Sequence, residues 1–258
     1  MNSLERALIE KAGNNHGFEY VLPGEDQAVK LASARHRAQV RIAPLAGRFL
    51  LTFASPAADL LNAELMRGFP ALAGGKAGFV ATTQDVVARL LRRAAELAHA
   101  LPNQAALDFE ATLDAELARL PGELRGTEVE RWVRQRLGQQ AFRGAMLDYW
   151  GNACAVTGIA IPEVLRASHA KPWADCASDT ERLDVFNGFL LSANLDALFD
   201  RFLVSFDDAG ELLIAPRISP TTRALLGLNQ PRRLRWLARE HLPYLRFHRE
   251  KFAAGGSG

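Results

Sequence analysis

Apolar and polar positions alternate in four short runs near the start of the chain: Phe18–Leu22, Ala28–Leu31, Ala38–Ile42 and Phe49–Phe53. A period of two reads as half-buried β-strands, and Pro23-Gly24 and Ala46-Gly47 supply the turns between them. A helical period flanks these runs. Asn2–Ala12 reads as a short amphipathic helix with Leu4, Leu8 and Ile9 inward. Ser55-Pro56 opens a helix through about Met66, with Ser55 as N-cap and Pro56 at the first helical position. After a Gly74–Gly78 turn, Thr83–His99 repeats Val86, Val87, Leu90, Leu91 and Leu97 on one helical face. These elements make an N-terminal α/β domain, residues 1–100.

The second half is patterned differently. Residues 101–126 read as a junction, with a short helix over Ala106–Leu120 and a break at Pro121-Gly122. Thr127 and Glu130 have capping-box spacing and start a helix to about Trp150, which carries Arg131, Arg134, Arg136 and Arg143. Cys154–Thr157 and Val164–Ser168 read as a hairpin, followed by a loop with Trp173 and a helix from a Ser192 cap to Asp200. Leu203–Phe206 and Leu212–Ile214 read as a hairpin around Asp208-Ala-Gly210, and Pro220–Leu228 and Arg239–Phe252 as helices. The expected class is α+β: residues 127–252 form the second domain and 253–258 a flexible tail.

Composition narrows the function classes. The chain has 258 residues, 48% of them hydrophobic and 23% charged, which suits one large or two modest cores. Its net charge of +2 is unevenly placed. Residues 1–118 hold 12 basic and 13 acidic side chains, and residues 119–258 hold 19 and 16. The basic excess sits in the second half, where a phosphate-bearing partner would be met. Cys154 and Cys176 are too few for a disulfide framework or a four-cysteine zinc site. No secretory signal and no membrane-length apolar run is read, so a cytoplasmic protein is the simplest expectation. No phosphate-cradling GxxxxGK[ST] occurs, so no nucleotide cofactor is expected.

The chemistry concentrates between residues 167 and 200. His169 precedes Asn187 by 18 residues, Asn187 precedes Asp196 by nine, and Asp196 precedes Asp200 by four. Four residues is one helical turn, so both carboxylates can face one way. A neutral imidazole can take a proton from water at physiological pH. One or two carboxylates can hold a hard divalent cation that keeps its waters. An asparagine can brace the imidazole or the loop that carries it. Taken singly, each residue also has a plain reading. Asn187-Gly188 is a turn signal, Asp196 a first-turn helix carboxylate, and Asp200 a cap or a partner of Arg201. His241 and His248 read as packed or solvent-facing histidines.

The ordered set from about Arg131 to Phe206 resembles the HNH endonuclease family, in the branch common among bacterial restriction-type nucleases. The matching residues are Gly138-Gln139, Phe142-Arg143, Cys154-Ala-Val-Thr-Gly158, Ser168-His169, Lys171-Pro172-Trp173, Asn187-Gly188 and Phe199-Asp200. The resemblance implies a ββα-metal fold and puts the general base on His169, the structural asparagine on Asn187 and metal ligands on Asp196 and Asp200. Asp196 replaces the third histidine of many relatives, which favours Mg²⁺ or Mn²⁺. Ser168 stands where relatives carry a ligand; a neutral hydroxyl takes metal only through a water. Arg131, Arg134, Arg143 and Lys171 are the expected nucleic-acid contacts. The expectation is a metal-dependent DNA endonuclease in restriction or defence, with a requirement for modified DNA and a homodimer both compatible. The N-terminal domain recognises or positions DNA, or only dimerises or shields its neighbour. The alternative is a DNA-binding regulator on a degenerate, non-cutting HNH scaffold.

Overall fold

A computed structural model describes residues 1–23, 27–75, 78–102, 104–119 and 127–254. The chain divides into two compact units, Met1–Gln104 and Ala105–Gly258. Gly24 of the first expected turn, part of the Gly74–Gly78 turn, Pro121-Gly122 and the end of the tail lie outside the described residues.

The first unit is a five-stranded antiparallel meander, β1 (Tyr20–Leu22), β2 (Val29–Ala32), β3 (Gln39–Leu45), β4 (Arg48–Ala54) and β5 (Phe79–Ala81), in sequential order. Val29, Leu31, Val40, Ile42, Leu51, Phe53, Phe79 and Ala81 are buried, so the period-two pattern selects one face. Ala46 and Gly47 both take positive φ, 47° and 77°, the geometry of a tight two-residue hairpin. Helices α1 (Ser3–Asn15), α2 (Ala58–Gly68) and α3 (Gln84–Ala100) pack with the sheet and with one another. The Thr83 hydroxyl caps α3 by accepting from Val86 N–H at 3.3 Å.

Three local expectations need correction. Ile9 and Gly13 face inward on α1, whereas Leu4 and Leu8 are exposed, because packing selects a different stripe of the helix. Helix α2 begins at Ala58 behind a turn in which the Ser55 hydroxyl accepts from Ala57 N–H, so Ser55 is not the N-cap. Strand β5 has no expected counterpart, since three residues are too few to display alternation.

The second unit holds α4 (Gln104–Arg119) and α5 (Thr127–Tyr149), the pair β6 (Leu165–His169) and β7 (Gly188–Ser192), α6 (Asp179–Arg182) and α7 (Ala193–Phe199). A second hairpin, β8 (Val204–Phe206) and β9 (Leu212–Ile214), follows, with α8 (Pro220–Leu225) and α9 (Leu242–Ala254). The side chain of Thr127 lies outside the described residues, and with it the expected capping box.

Cys154–Thr157 is a turn, not a strand. Gly158 N–H returns to the Cys154 carbonyl at 3.1 Å, and Thr157 N–H reaches the buried Cys154 sulfur at 3.4 Å. The partner of β6 is instead β7, and Ala155 adds one backbone bond to the Leu190 carbonyl. His241 stacks on Phe189 with centroids 5.3 Å apart, while His248 bonds Ser205 and the Phe199 carbonyl. The two histidines are therefore packed in separate surroundings.

Candidate active site

Strands β6 and β7 run antiparallel with His169 opposite Gly188 and Ser168 opposite Phe189. A Cβ at Gly188 would collide with the Ser168 carbonyl oxygen, so glycine allows the strands to close at this register. Helix α7 follows β7 directly and packs against both strands, completing a ββα unit. The order strand, loop, strand, helix sets the imidazole on one element and the two carboxylates on another.

The His169 ring lies flat on Phe142, centroids 3.8 Å apart and planes at 16°, and meets the edge of Trp173 at 6.0 Å. Its Nε2 donates to the Arg182 carbonyl oxygen at 2.8 Å. A carbonyl can only accept, so Nε2 carries the hydrogen and Nδ1 the lone pair. Burial lowers the His169 pKa below 6.5, and the Arg182 carbonyl only partly offsets this. The ring is therefore neutral near pH 7 and fixed in one tautomer.

The loop between the strands is held by buried polar contacts. Asn187 is fully buried; its Oδ1 accepts from Lys171 N–H at 2.8 Å. Its Nδ2 donates to the carbonyls of Glu181 at 3.0 Å and Lys171 at 3.3 Å, and to the Cys176 sulfur at 3.3 Å. Arg182 ties the same loop through the carbonyls of Trp173 and Cys176 and the carboxylate of Asp179. Tyr244 on α9 donates to Asp184 at 2.9 Å. These bonds fix the carbonyl that in turn fixes the His169 tautomer.

Asp196 lies on α7 and Asp200 caps its C-terminal end one turn on, where Asp200 N–H donates to the Asp196 carbonyl at 2.9 Å. Partial desolvation and then the Asp196 charge push the Asp200 carboxyl up to about 6, with Arg201 opposing. The Ser168 hydroxyl donates to Asp196 Oδ1 at 2.5 Å. Ser168 is buried and does not line the cleft, so it stands behind the carboxylate as an orienting donor.

His169, Asp196 and Asp200 all line one cleft of about 510 Å³, with Arg143, Arg166, Gln139, Phe142 and Trp173. Of the expected nucleic-acid contacts only Arg143 lines it. Lys171 Nζ bonds Glu181 at 2.6 Å, and Arg134 pairs with Asp179. Arg131 is exposed on α5. Arg143 donates to the carbonyls of Leu165 and Pro162 at 2.7 Å each, pinning α5 to the start of β6. Arg166 had no signal beyond a basic residue three positions before His169.

The donor set suits a hard cation. Among the described residues no group of three or more His, Cys, Asp and Glu side chains forms a ready metal cluster. Two neighbouring carboxylates, with Asp200 pushed up by partial desolvation and by the Asp196 charge, fit an ion that binds through one or two carboxylates and keeps waters. They do not supply the closed tetrahedral set of structural zinc.

Comparison with known families agrees with this architecture. Residues 154–207, from the Cys154 turn through β8, match the family model described as HNH endonuclease. The resemblance carried by Cys154-Ala-Val-Thr-Gly158, His169, Asn187 and Asp200 thus holds over that segment, which implies a nuclease-type function. No curated protein matches the chain. Among the described residues no helix is long and apolar enough to cross a membrane.

Proposed function

We propose that the chain is a divalent-metal-dependent DNA endonuclease of HNH type, working in restriction or defence, with the N-terminal unit as its DNA reader. The observation that carries the reading is His169: a half-buried, tautomer-fixed imidazole in the same cleft as two carboxylates one helix turn apart. Its Nδ1 takes the proton of the attacking water. Asp196 and Asp200 would hold a Mg²⁺ or Mn²⁺ ion, oriented in part by Ser168. Bound there, such an ion supplies positive charge to the phosphate and to the departing oxygen. Arg166 and Arg143 bring further positive charge to the cleft wall. Asn187 keeps the loop, and through it Arg182 and the imidazole, in place.

The test is conversion of supercoiled plasmid to nicked or linear form with Mg²⁺ or Mn²⁺, and protection by chelator. His169→Ala should cut about 10²–10⁴-fold more slowly with DNA affinity retained. A second reading, a non-cutting DNA-binding regulator, draws on the Ser168 hydroxyl being committed to Asp196. Binding without cutting under every divalent ion would favour it. Comparing methylated and unmodified plasmid tests the modification requirement.

A further inference from the structure

We propose that the outer face of α5 is a strand-binding track, along which Trp132 stacks on an unpaired base of the strand leading into the cleft. The proposal rests on the nucleic-acid binding that the reading above gives the cleft, and not on cutting. Trp132 is 61% exposed, whereas Trp150 is fully buried and Trp173 and Trp236 are partly covered. An indole this exposed, with a guanidinium held over its ring, is an open stacking face beside a positive charge. The Arg136 guanidinium lies 5.3 Å from the Trp132 ring centroid and is itself exposed. Among the described residues Arg136 has no carboxylate partner.

The helix register extends this pair into the cleft. Trp132, Arg136, Gln139 and Arg143 follow at steps of four, three and four, which is one stripe of an α-helix. Val133 and Leu137 are buried on the other side. Gln139 and Arg143 already line the cleft with His169 and the two aspartates. The stripe from Trp132 to Arg143 is ~16 Å long, about five nucleotide steps at the duplex rise. Glu128, one turn before Trp132, ends the favourable stretch and makes Trp132 its outer limit.

An indole beside a guanidinium, with a carboxamide further along the stripe, suits nucleic acid better than an apolar protein surface. The ring offers a face to any base, the arginine offsets a phosphate, and Gln139 bonds a sugar or a base edge. Stacking needs a base freed from its pair, so the track favours single-stranded or gapped DNA over intact duplex.

The experiment is fluorescence anisotropy of the full chain in chelator with three labelled DNAs: single strand, gapped duplex and fully paired duplex. Trp132→Ala should weaken single-strand and gapped binding about tenfold and leave paired duplex within about twofold, whereas Trp132→Phe keeps most of the affinity. Arg136→Ala should flatten the salt dependence by about one phosphate contact. Wild-type affinity of Trp132→Ala for single-stranded and gapped DNA would overturn the proposal. So would equal losses on all three DNAs, or loss of a dimer in sedimentation at unchanged DNA affinity. Wild-type cleavage with Mg²⁺ is scored separately. Absent cleavage with an intact Trp132 effect removes the nuclease reading and leaves the track standing.

Discussion

The N-terminal meander and the β6–β7 pair hold their residues by different means. In the meander the backbone does most of the work: β3 and β4 pair from Gln39–Ala54 through Leu45–Arg48, over a face of Val, Ile, Leu and Phe. Around His169 the ladder is only five pairs long, and the intervening loop follows no regular ladder. There, buried polar side chains replace backbone partners: Asn187 and Arg182 together bond the backbone of Lys171, Trp173, Cys176 and Glu181. Regular pairing gives a rigid support that any apolar set of the right size can build. A loop that must present one carbonyl to one imidazole nitrogen needs specific donors and acceptors.

That contrast can be broken by one deletion in each region. Leu51→Ala empties a fully buried site between Ile42 and Phe79 and should cost about 2–5 kcal/mol of stability. Asn187→Leu leaves Lys171 N–H and the Glu181 carbonyl without their partners, at roughly 1–3 kcal/mol for each buried group. The two variants should melt at similarly reduced temperatures. Well below those temperatures Leu51→Ala should keep the catalytic rate and Asn187→Leu should lose it. Equal cleavage by both folded variants would show that the loop needs no asparagine.

The same difference sets how far the sequence could be read. Alternation found β2, β3 and β4 because each buries every second residue. It failed at β7, where Gly188–Ser192 is buried at every position and shows no period. The apolar start of Cys154–Thr157 then drew the hairpin reading, although its backbone closes on itself. That His169, Asp196 and Asp200 share one cleft was legible, because their spacing and the family resemblance put them on neighbouring elements. Two links were not: the Arg182 carbonyl that sets the tautomer and the Ser168–Asp196 bond. A main-chain oxygen leaves no mark in a sequence, and a serine has many possible partners. Lys171 shows the converse, a motif residue whose charge is committed to Glu181.

Acid sharpens the comparison, because each unit buries one histidine held at about 4. His36 is lowered by burial and then by His99, and His248 by burial, which the Phe199 carbonyl partly offsets. Between pH 6.5 and 4 the unfolded chain binds a proton that the folded one refuses. Stability is therefore complete above 6.5 and lost as pH falls. Each histidine should account for about 2 kcal/mol between pH 7 and pH 5. His36→Phe, among the rings of Phe18 and His99, should remove its share of this acid sensitivity, read as a smaller drop in urea midpoint. An unchanged drop would mean that the acid sensitivity arises elsewhere.

The smallest effect expected is the most specific to the cleft, and it comes from two serines that make the same bond. Ser33 in the first unit donates to Glu19 Oε2 at 3.1 Å, and Ser168 in the second donates to Asp196 Oδ1 at 2.5 Å. Glu19 also accepts from Ala34 N–H and Arg35, so Ser33→Ala leaves that carboxylate held. Ser168 is the donor that fixes Asp196 at the cleft wall. Both alanine variants should stay within about 1.5 kcal/mol of wild-type stability: Ser168→Ala removes one hydrogen bond, and Ser33→Ala removes the bond to Glu19 and one accepted from Arg35 N–H at the surface. Only Ser168→Ala should weaken Mg²⁺ or Mn²⁺ binding, by about 10–100-fold, because an orienting donor sets how well its carboxylate meets an ion. Metal titration followed by calorimetry and by plasmid cleavage separates the two. A Ser168→Ala protein with the metal midpoint of Ser33→Ala would place the ion away from Asp196 and leave the serine a packing role.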